Sequence, residues 1–320
     1  MNQQPLFRRR AMVCSGSILG GACLLNTTIA QGIIAIAQEV ELVDEPTRGY
    51  YGQYDVANFG PPALRNAKRE FNFPNDVEIK ADLNYGIDIS HHTDEVPWSD
   101  LKHSKVNYIY IKASQSRNGR DGKFVEFWQE AAKSEVPYGA YHFLTAGVPG
   151  RVQGEYFLKR LSEVGGLSRG QLQPVVDLEW DTYGLHFKTV ILGKTSHGNL
   201  IYKDYWDDIS KPEIVATVND CVAAIHSAAG QMAIKPIIYT NRSWWESHIP
   251  AGTVFAGCSI WISDYRQQSY DMQSPRSVPK HDYYIWQFTD KAHINIHGKR
   301  YGPYDSNKLV LSKIDRIIIA

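Results

Sequence analysis

The chain has 320 residues, with 34 Lys plus Arg balanced by 34 Asp plus Glu, and hydrophobic residues make up 43% of it. That composition suits a globular protein, and without a clustered basic excess it argues against a nucleic-acid partner, whose phosphates demand one. Eight Trp, 19 Tyr and 11 Phe fit a cleft on which sugars stack, although aromatics fill cores equally well.

Arg8, Arg9 and Arg10 precede a stretch from Ala11 to Gln38 without a charge, which ends in Ala35-Ile36-Ala37. A basic start, an apolar run and small residues at its end read as a signal peptide over 1–37. The run is also long enough to cross a bilayer, so the same segment reads alternatively as an N-terminal membrane anchor, the one route to a membrane. Either way the expected location is exported, periplasmic or extracellular. Beyond the leader two cysteines remain, Cys221 and Cys258. An oxidising compartment permits a bridge between them, and two buried thiols is the alternative. Residues 38–84, with Pro46, Pro61, Pro62 and Pro74, read as an extension or linker carrying one short helix around Pro62–Phe71.

From residue 85 onward, β-branched apolar runs alternate with helical patterns. Tyr85–Ser90 and Val106–Ser114 read as strands, Phe124–Ser134 as a helix, Pro137–Thr145 as a strand and Arg151–Val164 as a helix. Leu172–Trp180 is the fourth strand, and Pro212–Ala229 is a helix marked by Pro212 near its start and Gly230 past its end. Lys235–Asn241, Ser259–Tyr265, Tyr283–Asp290 and Pro303–Val310 complete eight strands. The alternation predicts an α/β fold over 85–320, a parallel sheet closed as a TIM-like barrel. Residues 266–282 and 291–302 carry no amphipathic helix, so the barrel is expected to be irregular in its last third. Residues 181–211 form a polar insertion after the fourth strand.

Catalytic groups of such barrels come from the C-terminal ends of strands. Those ends supply Asp88, Lys112, Tyr141, His142, Asp177, Glu179, Asn241, Asp264, Trp286 and Gln287. Neither a nucleophile elbow nor a glycine-rich phosphate loop is among them. In Pro174-Val175-Val176-Asp177-Leu178-Glu179-Trp180, residues two apart share a face, so Asp177 and Glu179 project together while Val176 and Leu178 face the other layer. Two carboxylates so close cannot both ionise easily, which raises one pKa and leaves a proton donor beside a charged partner. Glycoside hydrolysis needs that division of labour. Alone, Asp-x-Glu is a weak signal; Asp88 and Asp264 at other strand ends strengthen it.

Taken with Gly86-Ile87-Asp88-Ile89-Ser90, Lys112-Ala113-Ser114, Gly139-Ala140-Tyr141-His142-Phe143, Trp261-Ile262-Ser263-Asp264-Tyr265, Trp286-Gln287-Phe288 and Asp305-Ser306-Asn307, the chain resembles the family 25 glycoside hydrolases, which are lysozymes (N-acetylmuramidases). The resemblance spans about residues 84–310 and implies five β/α units followed by three further strands. It implies cleavage of β-1,4 bonds between N-acetylmuramic acid and N-acetylglucosamine in peptidoglycan glycan strands, with no metal and no cofactor. Carried across, Glu179 is the general acid, Asp177 its partner carboxylate, and Asp88 and Asp264 the remaining acids. Lys112, Tyr141, His142, Tyr239, Asn241, Trp286, Gln287 and Asp305 become sugar-contacting or supporting residues. For Trp286 a place in the barrel core is an equal alternative, and His142 reads more readily as a hydrogen-bonded support. One departure stands out: the family's Lys-Ala-Thr-Glu-Gly is here Lys112-Ala113-Ser114-Gln115-Ser116. Gln115 motivates the rival reading of a catalytically weak glycan binder, and His142 with nearby acids motivates a metal-dependent hydrolase.

Overall fold

The computed structural model describes residues 43–44, 70–73, 84–194, 200–228, 232–265, 274–310 and 314–320. The expected leader and residues 62–69 lie outside them. Among the described residues no helix is long and apolar enough to cross a membrane.

In chain order the strands are β1 (Val43–Asp44), β2 (Glu70–Phe73), β3 (Asn84–Ile89), β4 (Val106–Gln115), β5 (Gly119–Arg120), β6 (Tyr138–Phe143) and β7 (Val175–Asp177). They continue as β8 (Ile191–Lys194), β9 (Leu200–Tyr202), β10 (Ile237–Asn241), β11 (Ser259–Ser263), β12 (Tyr283–Ile296) and β13 (Lys299–Leu309). β3, β4, β6, β7, β10, β11 and β12 are parallel neighbours in that order. β13 lies antiparallel between β12 and β3 and closes an eight-stranded barrel. The crossovers are a 3-10 segment at Trp98–Ser104, then α1 (Phe124–Lys133), α2 (Gly150–Ser162), α3 (Lys211–Ser227) and the short α4 (Arg242–His248). Three strands then follow with no intervening helix among the described residues, in keeping with the helix-poor intervals of the sequence.

Alternation along each strand divides the core in two. Tyr108, Tyr110, Val175, Ile237, Tyr239, Trp261 and Ile285 fill the barrel. Their sequence neighbours Ile109, Ile111, Val176, Ile238, Ile260 and Ile262 pack outward beneath the helices. α3 starts at a reciprocal Ser210/Glu213 capping box with Pro212 in its first turn. It lies so close to α2 that a Cβ on Gly150 would stand 1.8 Å from the Thr217 carbonyl oxygen.

Four features differ from the sequence expectation. The fourth strand shrinks to three residues, because beyond Asp177 the chain leaves the ladder for a loop pinned by Asp181. The last two strands lengthen into one hairpin, turning through His297 and Gly298 at φ of 50° and 78°. Glu70 and Phe71, expected as the end of a helix in a linker, belong to β2, which lies parallel to the outer part of β12. Phe71 and Phe73 are buried against Tyr85, and Phe71 also meets Phe288 edge-on at 5.2 Å. The 181–211 insertion holds a separate β8/β9 hairpin and a 3-10 turn, Tyr205–Asp208, whose Trp206 is fully buried. Cys221 and Cys258 are both free thiols, each pushed up to about 12 by burial.

Candidate active site

At the C-terminal mouth of the barrel the strand ends surround a cavity of ≈ 310 Å³. Of the residues singled out from the sequence, Asp88, Lys112, Tyr141, Asp177, Glu179, Tyr239, Gln287 and Asp305 line it. Val175, Asp177 and Glu179 face the cavity, while Val176 and Leu178 are buried in the outer layer; Asp177 is the last residue of β7, and Glu179 lies on the loop beyond it.

Asp88 ends β3 opposite the antiparallel strand that closes the barrel, with Asp305 as its register partner. Its Oδ2 accepts from Gln287 Nε2 at 2.9 Å and from Asn307 Nδ2 at 2.7 Å. Each amide is itself oriented: Gln287 Oε1 accepts from Tyr239 OH at 2.7 Å, and Asn307 Oδ1 from Trp261 Nε1 at 2.8 Å. Burial raises the Asp88 carboxyl to about 6, and the two amide hydrogen bonds oppose the rise.

Glu179 follows β7, whose exit is held by Leu178 N–H donating to the Tyr239 carbonyl at 2.9 Å. Burial raises its carboxyl to about 7; Lys112 opposes this, and the charges of Asp88 and Asp204 add to it. A carboxyl with that pKa is half protonated at neutral pH, the condition a general acid requires. Lys112 is buried, 5.0 Å from the centroid of the Phe143 ring, and donates to Gln115 Oε1 at 3.1 Å.

The remaining candidates point elsewhere. His142 is fully buried between Ser114 Oγ (2.8 Å) and Gln153 Oε1 (3.4 Å). Burial lowers it to about 3, so it stays neutral and outside the cavity lining. Asn241 caps α4: its Oδ1 accepts from Ser243 N–H at 2.8 Å and its Nδ2 donates to the Ser263 carbonyl at 3.1 Å. Trp286 packs in the outer core and donates Nε1 to the Asp264 carbonyl at 2.8 Å. Asp264 turns its carboxylate to the Arg276 N–H at 2.8 Å. Gln287 and Ser263 line the mouth, whereas their sequence neighbours Trp286 and Asp264 do not.

Sequence reasoning passed over Trp180, Tyr265 and Asp290, which also line the cavity, as does Tyr183, an aromatic of the insertion. Trp180 and Tyr183 follow Asp-x-Glu directly, and that proximity was the available signal. Asn307 lay in a recognised motif without a role; its spacing of two from Asp305 on β13 marks it as facing the same way. Away from the cavity, Asp204, Asp207 and His248 bring possible ligand atoms within 4.8 Å of one another. Each already has protein partners there, His248 with Asp207 at 3.0 Å and Asp204 with Trp244 Nε1 at 3.0 Å.

The chain is 26% identical over 227 residues to Lysozyme M1 of Streptomyces globisporus, covering 70% of this chain and 66% of that relative. It thus spans just under two thirds of that relative's length. In fold it is similar to a family GH25 lysozyme from Aspergillus fumigatus, with a TM-score of 0.56 and 24% identity over 74% of this chain and 99% of the other. A family 25 glycosyl hydrolase from Bacillus anthracis gives 0.53 and 19% over 72% and 91%. The family model for glycosyl hydrolases family 25 matches residues 87–297, from the strand bearing Asp88 to the turn of the β12/β13 hairpin, and the chain belongs to that family.

Proposed function

We propose that the protein is an exported lysozyme, an N-acetylmuramidase that cuts the β-1,4 bond between N-acetylmuramic acid and N-acetylglucosamine in peptidoglycan glycan strands. Residues 1–37 direct export, 38–84 lead into the barrel, and 85–320 carry the chemistry. The observation behind this reading is the shared cavity of Asp177 and Glu179, with the Glu179 carboxyl raised to about 7.

Glu179 donates its proton to the leaving glycosidic oxygen as the bond breaks. Its carboxylate then takes a proton from the water that completes hydrolysis, which restores the acid. Asp177, two residues before it at the end of β7, stabilises the cationic sugar centre or positions its acetamido group. Asp88 holds negative charge at the same mouth, and Lys112, Tyr141, Tyr239, Gln287 and Asp305 offer donors and acceptors to sugar hydroxyls. Mass spectrometry of fragments released from purified peptidoglycan tests the reading. Fragments ending in reducing muramic acid support it. Co-sedimentation with cell walls without released fragments favours the glycan binder that Gln115 motivates, and a reducing glucosamine end overturns the bond assignment.

A further inference from the structure

The insertion after β7 reaches back to the loop that carries Glu179. Asp204, only 7% exposed, caps the 3-10 turn with Oδ1 accepting from Trp206 N–H at 3.1 Å. The same Oδ1 accepts from Asp181 N–H at 3.1 Å, and Tyr205 N–H donates back to the Asp181 carbonyl at 2.8 Å. Asp181 lies two residues beyond Glu179 and is fully buried. Its own carboxylate accepts from Ala146 N–H at 2.8 Å, Gly184 N–H at 2.9 Å and Tyr183 N–H at 3.1 Å. The outer oxygen of Asp204 accepts from Trp244 Nε1 on α4 at 3.0 Å. Three loops of the barrel rim, after β6, β7 and β10, are thus joined through two buried carboxylates. Trp180, Thr182 and Tyr183, inside the clamped stretch, line the cavity.

We propose that Asp204 is a positioning residue for Glu179: it fixes the main chain two residues past the acid. This rests on Glu179 being the general acid. Clamping the backbone at Asp181 limits how far the Glu179 carboxyl can wander from the scissile oxygen, and an error near 1 Å there costs on the order of 100-fold in rate. Burial raises the Asp204 carboxyl itself to about 7, and the charge it gains on ionising adds to that of Asp88, against Lys112, in favour of protonated Glu179. Glu179 is faced by Lys112 on β4, Asp88 on β3 and Tyr239 on β10; Asp204 is faced by Asp207, His248 and Asp181. The 181–211 insertion is therefore a working part of the site rather than an appendage.

The test is the pH profile of hydrolysis by the full-length protein on soluble peptidoglycan glycan strands. Asp204→Asn should lower kcat about tenfold with KM within about twofold, since binding groups across the cavity are untouched. It should also move the alkaline limb of the profile to lower pH, because the charge that Asp204 carries above about pH 7 and that disfavours Glu179 ionisation is gone. Asp207→Asn, at the exposed edge of the same cluster, should leave that limb in place. If Asp204→Asn does not fold, Asp204→Glu decides: a retained charge on a longer side chain should lower kcat with the limb unmoved. An Asp204→Asn protein of native circular dichroism with wild-type kcat and limb overturns the proposal, as does wild-type kcat in Asp204→Glu. Glu179→Gln in the same assay separates the levels. Full activity there sinks the general-acid reading itself, whereas an inactive Glu179→Gln beside a wild-type-like Asp204→Asn sinks this inference alone.

Discussion

The arc of the barrel that runs from β12 through β13 to β3 grips its acid directly, with amides of Gln287 and Asn307 on one oxygen of Asp88. The arc from β4 to β7 holds Glu179 through the main chain instead, and meets its carboxyl with the field of Lys112. Burial raises both acids, yet Asp88 settles near 6 and Glu179 near 7. Most of that gap is the difference between their ordinary values, 3.8 and 4.5; what separates the two acids is what each carboxyl touches, two donors that favour the charged form on Asp88 against a cation acting at a distance on Glu179. A parallel arc and an antiparallel closure thereby bring two buried carboxyls, differently held, to one mouth.

Replacing the proton carrier should have the largest effect. Glu179→Gln should lower kcat by about 1,000-fold or more, within the range of a lost general acid, while cell-wall binding persists. Asp88→Asn should cost less, about 100-fold, and should move the alkaline limb of the pH profile down, because the Asp88 charge helps keep Glu179 protonated. Asn307→Ala should cost several-fold in kcat and raise the pH of the acid limb, since the bond it removes favours ionised Asp88. That variant also leaves Trp261 Nε1 without its acceptor, and urea unfolding should show a loss of about 1–3 kcal/mol. If the acid limb stays put in Asn307→Ala, the contrast between gripped and ungripped acids fails.

The same pKa values set a stability trend. Asp88 and Asp181 near 6 and Glu179 near 7 lie above the ordinary 3.8 and 4.5 of their kinds, so the folded state binds more protons than the unfolded one between about pH 4 and 7. Their net contribution to stability therefore declines as pH rises through that window and stays low above it. Glu179→Gln removes one share of the decline. Its Tm should exceed the wild type by about 2–4 °C at pH 8, with no difference at pH 4, readable by scanning calorimetry. A gain of equal size at both pH values would instead point to packing.

Much of this molecule is written in strand periodicity. Ile109 and Ile111, or Ile260 and Ile262, alternate with inward residues, and that pattern located the barrel and the Asp177/Glu179 pair. The β12/β13 hairpin escaped notice because its turn is His297-Gly298 rather than Asn-Gly, so the two left-handed φ values had no familiar marker. Asp181 and Asp204 escaped for another reason. Their weight comes from contacts 23 residues apart in sequence and on to α4, which no local pattern encodes. Three of the candidates outside the cavity lie beside a residue that lines it. Tyr141 with His142, Ser263 with Asp264 and Trp286 with Gln287 are adjacent in sequence, and in each pair one residue lines the cavity while the other is bound elsewhere in the protein.

Asn241 gives the smallest and most discriminating effect of that kind. It stands at a strand end, where a sugar-binding amide would be expected, yet both ends of its side chain are used within the protein. Its oxygen stops the exposed N–H of Ser243 at the start of α4, and its amide nitrogen ties β10 to the Ser263 carbonyl on β11. Removing an N-cap costs about 1 kcal/mol, and α4 is a short helix with few other bonds to share the loss. Asn241→Ala should therefore lower unfolding free energy by about 1–2 kcal/mol while KM and kcat stay within about twofold of wild type. Asn241→Asp keeps the capping oxygen and should recover most of the stability, because a carboxylate at a helix start also meets the positive end of its dipole. A raised KM in Asn241→Ala at full stability would return the residue to the sugar site and show that the cavity extends past Ser263.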